Sequence, residues 1–409
     1  MRKHLSVCIG GSGKDTNVNN YYADLHMHVG YSHGRPVKIT ASRALTIDRI
    51  IAESAIYKGM DVIGIIDAIC PPVHQELSRL CEHGLLHPLC EGGLRYVDPA
   101  TDRSLTILLG GEIEIAGPNG GAAHFGVWFP DLHVVADFQK WYSHIVTNPN
   151  LSSQRANCSG YALQEATIER GGLFIVNHAF TPHKGLYGRC ATHMGDMVDP
   201  SKVTALELGL SSDSDMADLL SELGEITFVS NSDAHSLPKI AREYNVLKLC
   251  EPSFAEVSGA LLRQGGRGVV ANYGLEPRLG KYHRTYCANC EAVIDDQSTY
   301  RCPDCGLTSI VQGVWDRIQS IADREVAIRP SHRPPYNFQV PLQFIPKLGP
   351  KTLRRLLQVF GTEMNVLHDA TSEQLIDVVG IEIAQRIMNA RAGTLHISVG
   401  GGGRYGKVI

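Results

Sequence analysis

Two histidines one residue apart in DLHMH (His26, His28) and the aspartate and histidine of NSDAH (Asp233, His235) bracket a set of side chains suited to metal chemistry. Between them stand Asp67 ending GIID, Glu112 after a double glycine in GGEIE, His124 in AAHFG and His178 in VNHAF. Imidazoles and carboxylates are the ligands chosen by zinc, manganese and iron, and together they can hold two or three divalent ions (Zn2+, Mn2+, Mg2+). Ions a few ångström apart clamp a phosphoryl group and activate a water, so phosphoester hydrolysis is the expected chemistry, with Asp67, His178, Asp233 and His235 at the reacting centre. A single histidine is more often a hydrogen-bonded structural residue. The HxH and DxH pairs say more, because alternation along a strand sends both side chains to one side. His33, in a glycine-flanked loop, is a further candidate ligand, and Glu114 shares the strand parity of Glu112 and is the alternative to it.

A second chemistry lies downstream. Cys287 and Cys290 (CANC), then eleven residues, then Cys302 and Cys305 (CPDCG) form two turns that each present two thiolates to one tetrahedral ion, the pattern of a structural Zn2+ site. The other cysteines are scattered singly in an odd total of eleven, which is no disulfide framework and suits a reducing compartment.

The elements that must position these residues can be read from the pattern. The 409 residues carry 43% apolar and 20% charged side chains and a formal charge of −4, the composition of an ordinary globular protein of two or three domains. No apolar run is long enough to span a bilayer, and the start, MRKHLSVCIGGSGKD, lacks the apolar core of a signal peptide, so a cytoplasmic protein without a membrane partner is expected. GGSGKD at 10–15 is not a phosphate loop, because Asp15 stands where Ser or Thr is needed. Short apolar runs at 21–26, 62–67, 105–112, 124–129, 173–178, 203–208 and 226–230 alternate with helical periods at 45–57, 134–145, 162–170, 214–223 and 254–263. This predicts an α/β fold with a largely parallel sheet, a (β/α)7 barrel or close variant, with the candidate ligands at the C-terminal ends of the strands. The expected division is a disordered tail over 1–20, a catalytic barrel over 21–275, a small zinc ribbon over 276–330, a helical domain over 331–393 and a Gly-rich tail over 394–409.

The last third is mildly basic. From Val326 to Thr362 the chain carries Arg329, Arg333, Lys347, Lys351, Arg354 and Arg355 and no acidic residue, which is either a solvated face or a phosphate-contacting surface. IPKLGPKTLRRLLQVFG at 345–361 has the form of a helix-hairpin-helix, with Gly349 in the turn and Lys351, Arg354 and Arg355 as DNA-binding charges. A degenerate second copy spans 375–390, where Glu382 would repel phosphate. QVPLQF at 339–344 loosely resembles a sliding-clamp peptide, although a linker feeding the hairpin explains it better.

The HxH, strand-end Asp, GxE, isolated histidines and closing DxH resemble the polymerase and histidinol phosphatase (PHP) family of metal-dependent phosphoesterases, whose fold is a distorted seven-stranded βα barrel. The flanking NHAFTP, LELGLSSDSDM, SNSDAHS and GKYH before the two CxxC pairs are similar to the endonuclease Q family of DNA repair nucleases within that superfamily. The resemblance implies that His26, His28, Asp67, Glu112, His124, His178, Asp233 and His235 occupy metal positions. It further implies hydrolysis of duplex DNA on the 5′ side of deaminated bases (uracil, hypoxanthine, xanthine) and abasic sites. The competing expectations are a phosphatase acting on a small phosphomonoester, which needs neither ribbon nor hairpin, and a non-catalytic DNA-binding protein with a decayed barrel.

Overall fold

The computed structural model of the chain describes residues 18–118, 120–296 and 299–408. The expected N-terminal tail and the GGSGKD segment therefore lie outside the described residues up to position 17, while Asn19 and Asn20 already belong to the first strand. Ten strands form the main path of one sheet: β1 (Asn19–Met27), β2 (Val62–Ile65), β3 (Ser104–Ala116), β4 (Ala122–Phe129), β5 (Leu173–Val176), β6 (Ala205–Glu207), β7 (Thr227–Val229), β8 (Tyr244–Leu249), β9 (Gly268–Gly274) and β10 (Tyr336–Phe338). Their order across the sheet is β7-β6-β5-β4-β3-β2-β1-β8-β9-β10.

The expected largely parallel sheet is mixed. β1, β2 and β3 run parallel, as do β5, β6 and β7, but β4 runs against both its neighbours and β8 against both of its own. The link between β3 and β4 is too short for the crossover a parallel pair requires, so the two must form a hairpin. His124 therefore sits near the N-terminal end of its strand, not the C-terminal end, and the reversed direction of β4 brings it to the same mouth as the other candidates.

One apolar cluster draws Leu25, Val62, Leu108, Trp128, Ile175, Ala205, Val229, Leu247 and Val269 from strands around the sheet and is joined by the helix Phe254–Leu261. A single cluster fed by so many strands is what a sheet curled on itself produces. Two residues per step along the same face, Leu108 gives way to Gly110 and Glu112, Trp128 to Gly126 and His124, and Val229 to Asn231 and Asp233, so an apolar floor is topped by polar side chains. At Gly110 a Cβ would meet the Trp128 ring at 2.4 Å, which is why glycine stands there.

The curl is closed by side chains and by a backbone bridge of Met27 in β1 with Ala234 beyond β7. Asn245 Oδ1 accepts from Ser230 N at 2.8 Å and its Nδ2 donates to Ser230 O at 2.9 Å, while Asn272 Nδ2 donates to Phe228 O at 3.1 Å. These amides replace the ladder that β7 does not make with β8 or β9.

Helices Ile47–Ala52, Pro71–Glu82, Leu132–Tyr142 and Gly160–Ile168 contribute to the larger apolar cluster. Asp131 accepts from His133 N and Val134 N, a side-chain cap that starts its helix at Leu132, ahead of the expected 134. The C-terminal helices Pro350–Phe360, Ser372–Val379 and Ile381–Arg391 dock on the barrel through a buried Lys58–Glu363 ion pair (2.8 Å) and through His368, which stacks on Tyr22 and meets Tyr244 Oη at 2.7 Å. Residues 397–408, expected as a Gly-rich tail, fold back as a short hairpin of Ile397–Ser398 with Lys407–Val408. No helix among the described residues is long and apolar enough to cross a membrane.

Candidate active site

Three imidazoles at the barrel mouth share one arrangement. His26 Nδ1 lies 2.9 Å from Glu207, His28 Nδ1 lies 3.2 Å from Asp67, and His124 Nε2 lies 3.3 Å from Glu114. Each carboxylate takes the proton-bearing nitrogen and leaves the other with a free lone pair. His26 Nε2, His28 Nε2 and His124 Nδ1 are accordingly buried with no hydrogen-bond partner among the described residues, as are His178 Nδ1 and Asp233 Oδ1. Around these atoms the side chains fall into two groups able to hold an ion, His26 with His28 and Asp233, and Glu112 with His124 and His178. Glu112 joins them, with Oε1 at 3.4 Å from His26 Nε2, 3.1 Å from His124 Nδ1 and 3.2 Å from His178 Nε2. Lone pairs facing lone pairs in a buried pit call for cations between them, so the residues fit divalent metal.

The backbone bends to deliver these groups. β1 shifts register between Asp24 and Met27, where His26 leaves the ladder. His178 and Asp233 have φ of 28° and 44°, a left-handed conformation that non-glycine residues adopt at a cost of about 1–3 kcal/mol when the surroundings impose it.

The charges are strongly coupled. Burial works against a charged His26, but Glu207 and Glu112 outweigh it and hold the imidazole well above its ordinary range, so a cation that takes the Nε2 lone pair does so by displacing a proton there. Burial would likewise raise Glu112, yet His124 and Lys38 keep it well below the usual carboxylate range, and His28, His26 and His235 do the same for Asp233. His235 is pushed down to about 4 by burial and stays neutral at pH 7.

Not every expected residue falls in the two groups. Asp67 accepts from Val29 N at 2.7 Å and faces the far side of His28, so it orients a ligand and stands outside both groups. His235 lies against Asp233 (3.4 Å) and lines the cavity, also outside them. Glu114 is buried on the cavity wall but is taken up by His124, Arg155 and Lys184 and stands outside both groups, and His33 is exposed and off the cavity wall. Two partners escaped the sequence reading. Glu207, in LELG, ends an apolar strand as Asp67 does, and the same criterion finds it. Lys38, whose Nζ is 3.1 Å from Glu112, follows no motif and left no signal.

The pit opens into a cavity of about 610 Å³, ample for a nucleotide. Phe180, Thr181, His183, Ser211 and Ser212 line it. Tyr187, close by in sequence, stands behind this wall: it is buried, stacked on Phe180, with its hydroxyl donating to Glu222 at 2.8 Å.

The four cysteines converge, with Cys287 and Cys305 sulfurs 3.6 Å apart and Cys290 and Cys302 sulfurs 3.4 Å apart. Backbone amides of Cys290 and Asn289 lower the Cys287 thiol to about 7, towards the thiolate a metal needs. The following helix, Val314–Ile321, is pinned to the loop beyond His178 by Arg317, which donates to Tyr187 O (2.8 Å) and Ala191 O (3.1 Å).

The basic stretch divides. Arg333 is buried against Asp218 (2.8 Å), Arg329 pairs with Asp215 (2.7 Å) and Lys347 with Glu382 (2.6 Å), so these three anchor structure. Lys351, Arg354 and Arg355 make no ion pair among the described residues and are largely exposed on the helix that Gly349 caps. The clamp-like QVPLQF is occupied within the fold: Gln339, Val340 and Leu342 are buried, and Gln339 Oε1 accepts from Tyr244 Oη at 2.8 Å, so a clamp partner finds no support there.

No family model matches the chain. An uncharacterized protein of Bacillus subtilis, YqxK, is 45% identical over 396 residues, which covers 96% of this chain and 100% of that protein. MJ0043 of Methanocaldococcus jannaschii, also uncharacterized, is 34% identical over 254 residues, 57% of this chain and 31% of that protein. Among solved structures, the lesion-specific endonuclease PfuEndoQ of Pyrococcus furiosus is 32% identical with a TM-score of 0.81, and 95% of each chain is covered. Endonuclease Q in complex with a 27-mer duplex bearing an abasic lesion at the active site is 31% identical with a TM-score of 0.81, over 95% of this chain and 96% of that one. The likeness spans this chain's barrel, four-cysteine module and helical region alike, and the chain belongs to the endonuclease Q family.

Proposed function

We propose that this chain is a DNA repair endonuclease that hydrolyses the phosphodiester bond 5′ to deaminated bases (uracil, hypoxanthine, xanthine) and abasic sites, leaving a 3′-hydroxyl and a 5′-phosphate. The observation that carries it is the set of carboxylate-anchored imidazoles whose free lone pairs face one nucleotide-sized cavity. The likeness to a lesion-specific endonuclease, and to an endonuclease Q bound to a duplex with an abasic lesion, supports damaged DNA as the substrate.

In this proposal His26, His28 and Asp233 hold one divalent ion and Glu112, His124 and His178 another. Such ions, Zn2+, Mn2+ or Mg2+, supply Lewis acidity at the phosphoryl group and lower the pKa of water. Asp67 and Glu207 keep the His28 and His26 rings turned to the pit, and neutral His235 offers a further lone pair at its wall. Lys239 and Lys281, on the cavity lining, draw in phosphates. The cysteines hold a structural Zn2+ and fix the wall that the adjoining segment builds. Amides at the start of Pro350–Phe360, with Lys351, Arg354 and Arg355, grip the duplex backbone without reading sequence. A mispaired or missing base costs less to extrude, which supplies part of the selectivity. Catalytic barrel (21–275, its sheet extended by Asn19–Asn20 and by β10 at Tyr336–Phe338), zinc module (276–330) and helical clamp (the rest of 331–393) divide the work.

Duplexes carrying uracil, hypoxanthine or an abasic site, with Mg2+, Mn2+ and Zn2+ supplied in turn, test the proposal. Incision 5′ to the lesion with undamaged duplex left intact is expected. Inactivity on all three with every metal, or faster turnover of a small phosphomonoester, overturns it.

A further inference from the structure

Part of the cavity wall is not made by the barrel. Lys281 and Tyr282 come from the segment that enters the cysteine module, and Tyr405 comes from the C-terminal hairpin. Lys281 Nζ lies 4.6 Å from the centroid of the Tyr282 ring and 5.8 Å from that of Tyr405, and His183 meets Tyr282 edge-on at 5.4 Å. Rings and a cation thus share one wall.

The hairpin is held firmly where it meets this wall. Gly400 N donates to Arg278 O at 2.6 Å, Gly403 N to Lys281 O at 3.3 Å and Gly406 N to Leu279 O at 2.9 Å, while Arg404 pairs with Glu291. The backbones approach so closely that a Cβ on Gly400 would lie 2.6 Å from Gly406 N. A run of glycines, which in isolation is a flexible chain, is here the means of laying one strand on another and aiming a single aromatic. Tyr405 remains 41% exposed, and its hydroxyl has no hydrogen-bond partner among the described residues. An accessible ring beside an ammonium binds bases by their faces and phosphates by charge, without regard to sequence.

We infer that Tyr405 stacks on the base of the damaged nucleotide in the cavity, with Lys281 holding a neighbouring phosphate, so that the C-terminal hairpin is a specificity element for lesions that retain a base. This rests on the endonuclease proposal for the substrate. Stacking requires a base, and an abasic site has none.

The full-length metal-loaded protein is compared with Tyr405→Ala and Tyr405→Phe on uracil, hypoxanthine and abasic duplexes, by nicking and by fluorescence anisotropy on the same duplexes carrying a non-hydrolysable linkage 5′ to the lesion, which reads affinity without turnover. Tyr405→Ala is expected to weaken KM and Kd for the uracil and hypoxanthine duplexes about 5- to 100-fold, to leave the abasic duplex within about 2-fold, and to be rescued by Tyr405→Phe. Equal losses on all three duplexes, no loss on any, or failure of the Phe variant to rescue overturns the inference. A wild type that nicks nothing, yet loses uracil-duplex affinity on Tyr405→Ala, overturns the catalytic proposal and leaves the stacking role standing. A wild type that nicks, with an indistinguishable Ala variant, overturns the stacking role alone.

Discussion

The barrel pit and the cysteine module are both built to hold metal, by opposite means. The cysteines lie in two short turns close in sequence, with a small apolar cluster of Ile294 and the buried cysteines beneath them, so little but an ion can hold that segment together. The pit gathers His26 and Asp233 from segments far apart in sequence that a backbone bridge at Met27 and Ala234 brings side by side, and anchoring carboxylates fix its rings. In the first region an ion would make the structure. In the second the structure makes the site, and an ion held there would be free to do chemistry.

Asp233→Asn tests the second half of this contrast most severely. It removes a carboxylate charge from the pit and should cost about 10³-fold or more in single-turnover incision while DNA affinity by anisotropy is retained; loss of affinity in parallel would show that the side chain holds the fold. Cys302→Ala tests the first half. Structural zinc in small modules contributes apparent free energies of about 10–16 kcal/mol, so the variant should lose one zinc per chain by elemental analysis and lose protection of the module in hydrogen exchange, with the barrel still folded. If the barrel unfolds with it, the two regions are not separable. Asp67→Asn and Glu207→Gln sharpen the comparison, because their effect should be intermediate: about 10- to 100-fold in metal affinity, read by competition with a chelator, with little change in thermal unfolding.

Removing Lys351, Arg354 and Arg355 together should leave the pit untouched. It should flatten the salt dependence of DNA binding by about 0.9 in log–log slope for each phosphate that is no longer neutralised; an unchanged slope would show that the hairpin does not touch DNA. The gentlest test is pH. Burial pushes the Glu243 carboxyl up to about 8, so the folded barrel keeps a proton there that the unfolded chain releases above about 4.5. Between those values the unfolded state binds fewer protons, and barrel stability should fall as pH rises, by on the order of a few kcal/mol across the window. Glu243→Gln should remove that slope in denaturant titrations. The cysteine module should show the reverse trend, losing its ion as acid protonates the thiolates.

Much of the pit was legible because its residues are chemically conspicuous and recur at strand ends. Strand direction was not legible, since periodicity is the same read either way, and the reversal of β4 under His124 follows only from the length of the preceding turn. β8 and β9 fall after the last obvious ligand, in segments where helical and extended patterns compete. Lys38 carries no spacing signal because its partner, Glu112, is far away in sequence. The C-terminal hairpin was hidden for a physical reason. Glycine runs have no side-chain pattern, and only the surface they lie against decides whether they are linker or strand.

The asparagine seam has a mechanical consequence. Along the other strand pairs a ladder must break to part them, but the seam between β7 and the β8–β9 pair is held by side-chain amides, and just beyond it Ala234 clasps the β1 backbone, its N donating to His26 O and its O accepting from His28 N, both at 3.2 Å. Asp233 lies between the amide seam and that clasp, so the side chain nearest the chemistry is pinned on one flank by backbone while the strand behind it is held to β8 and β9 by amides alone.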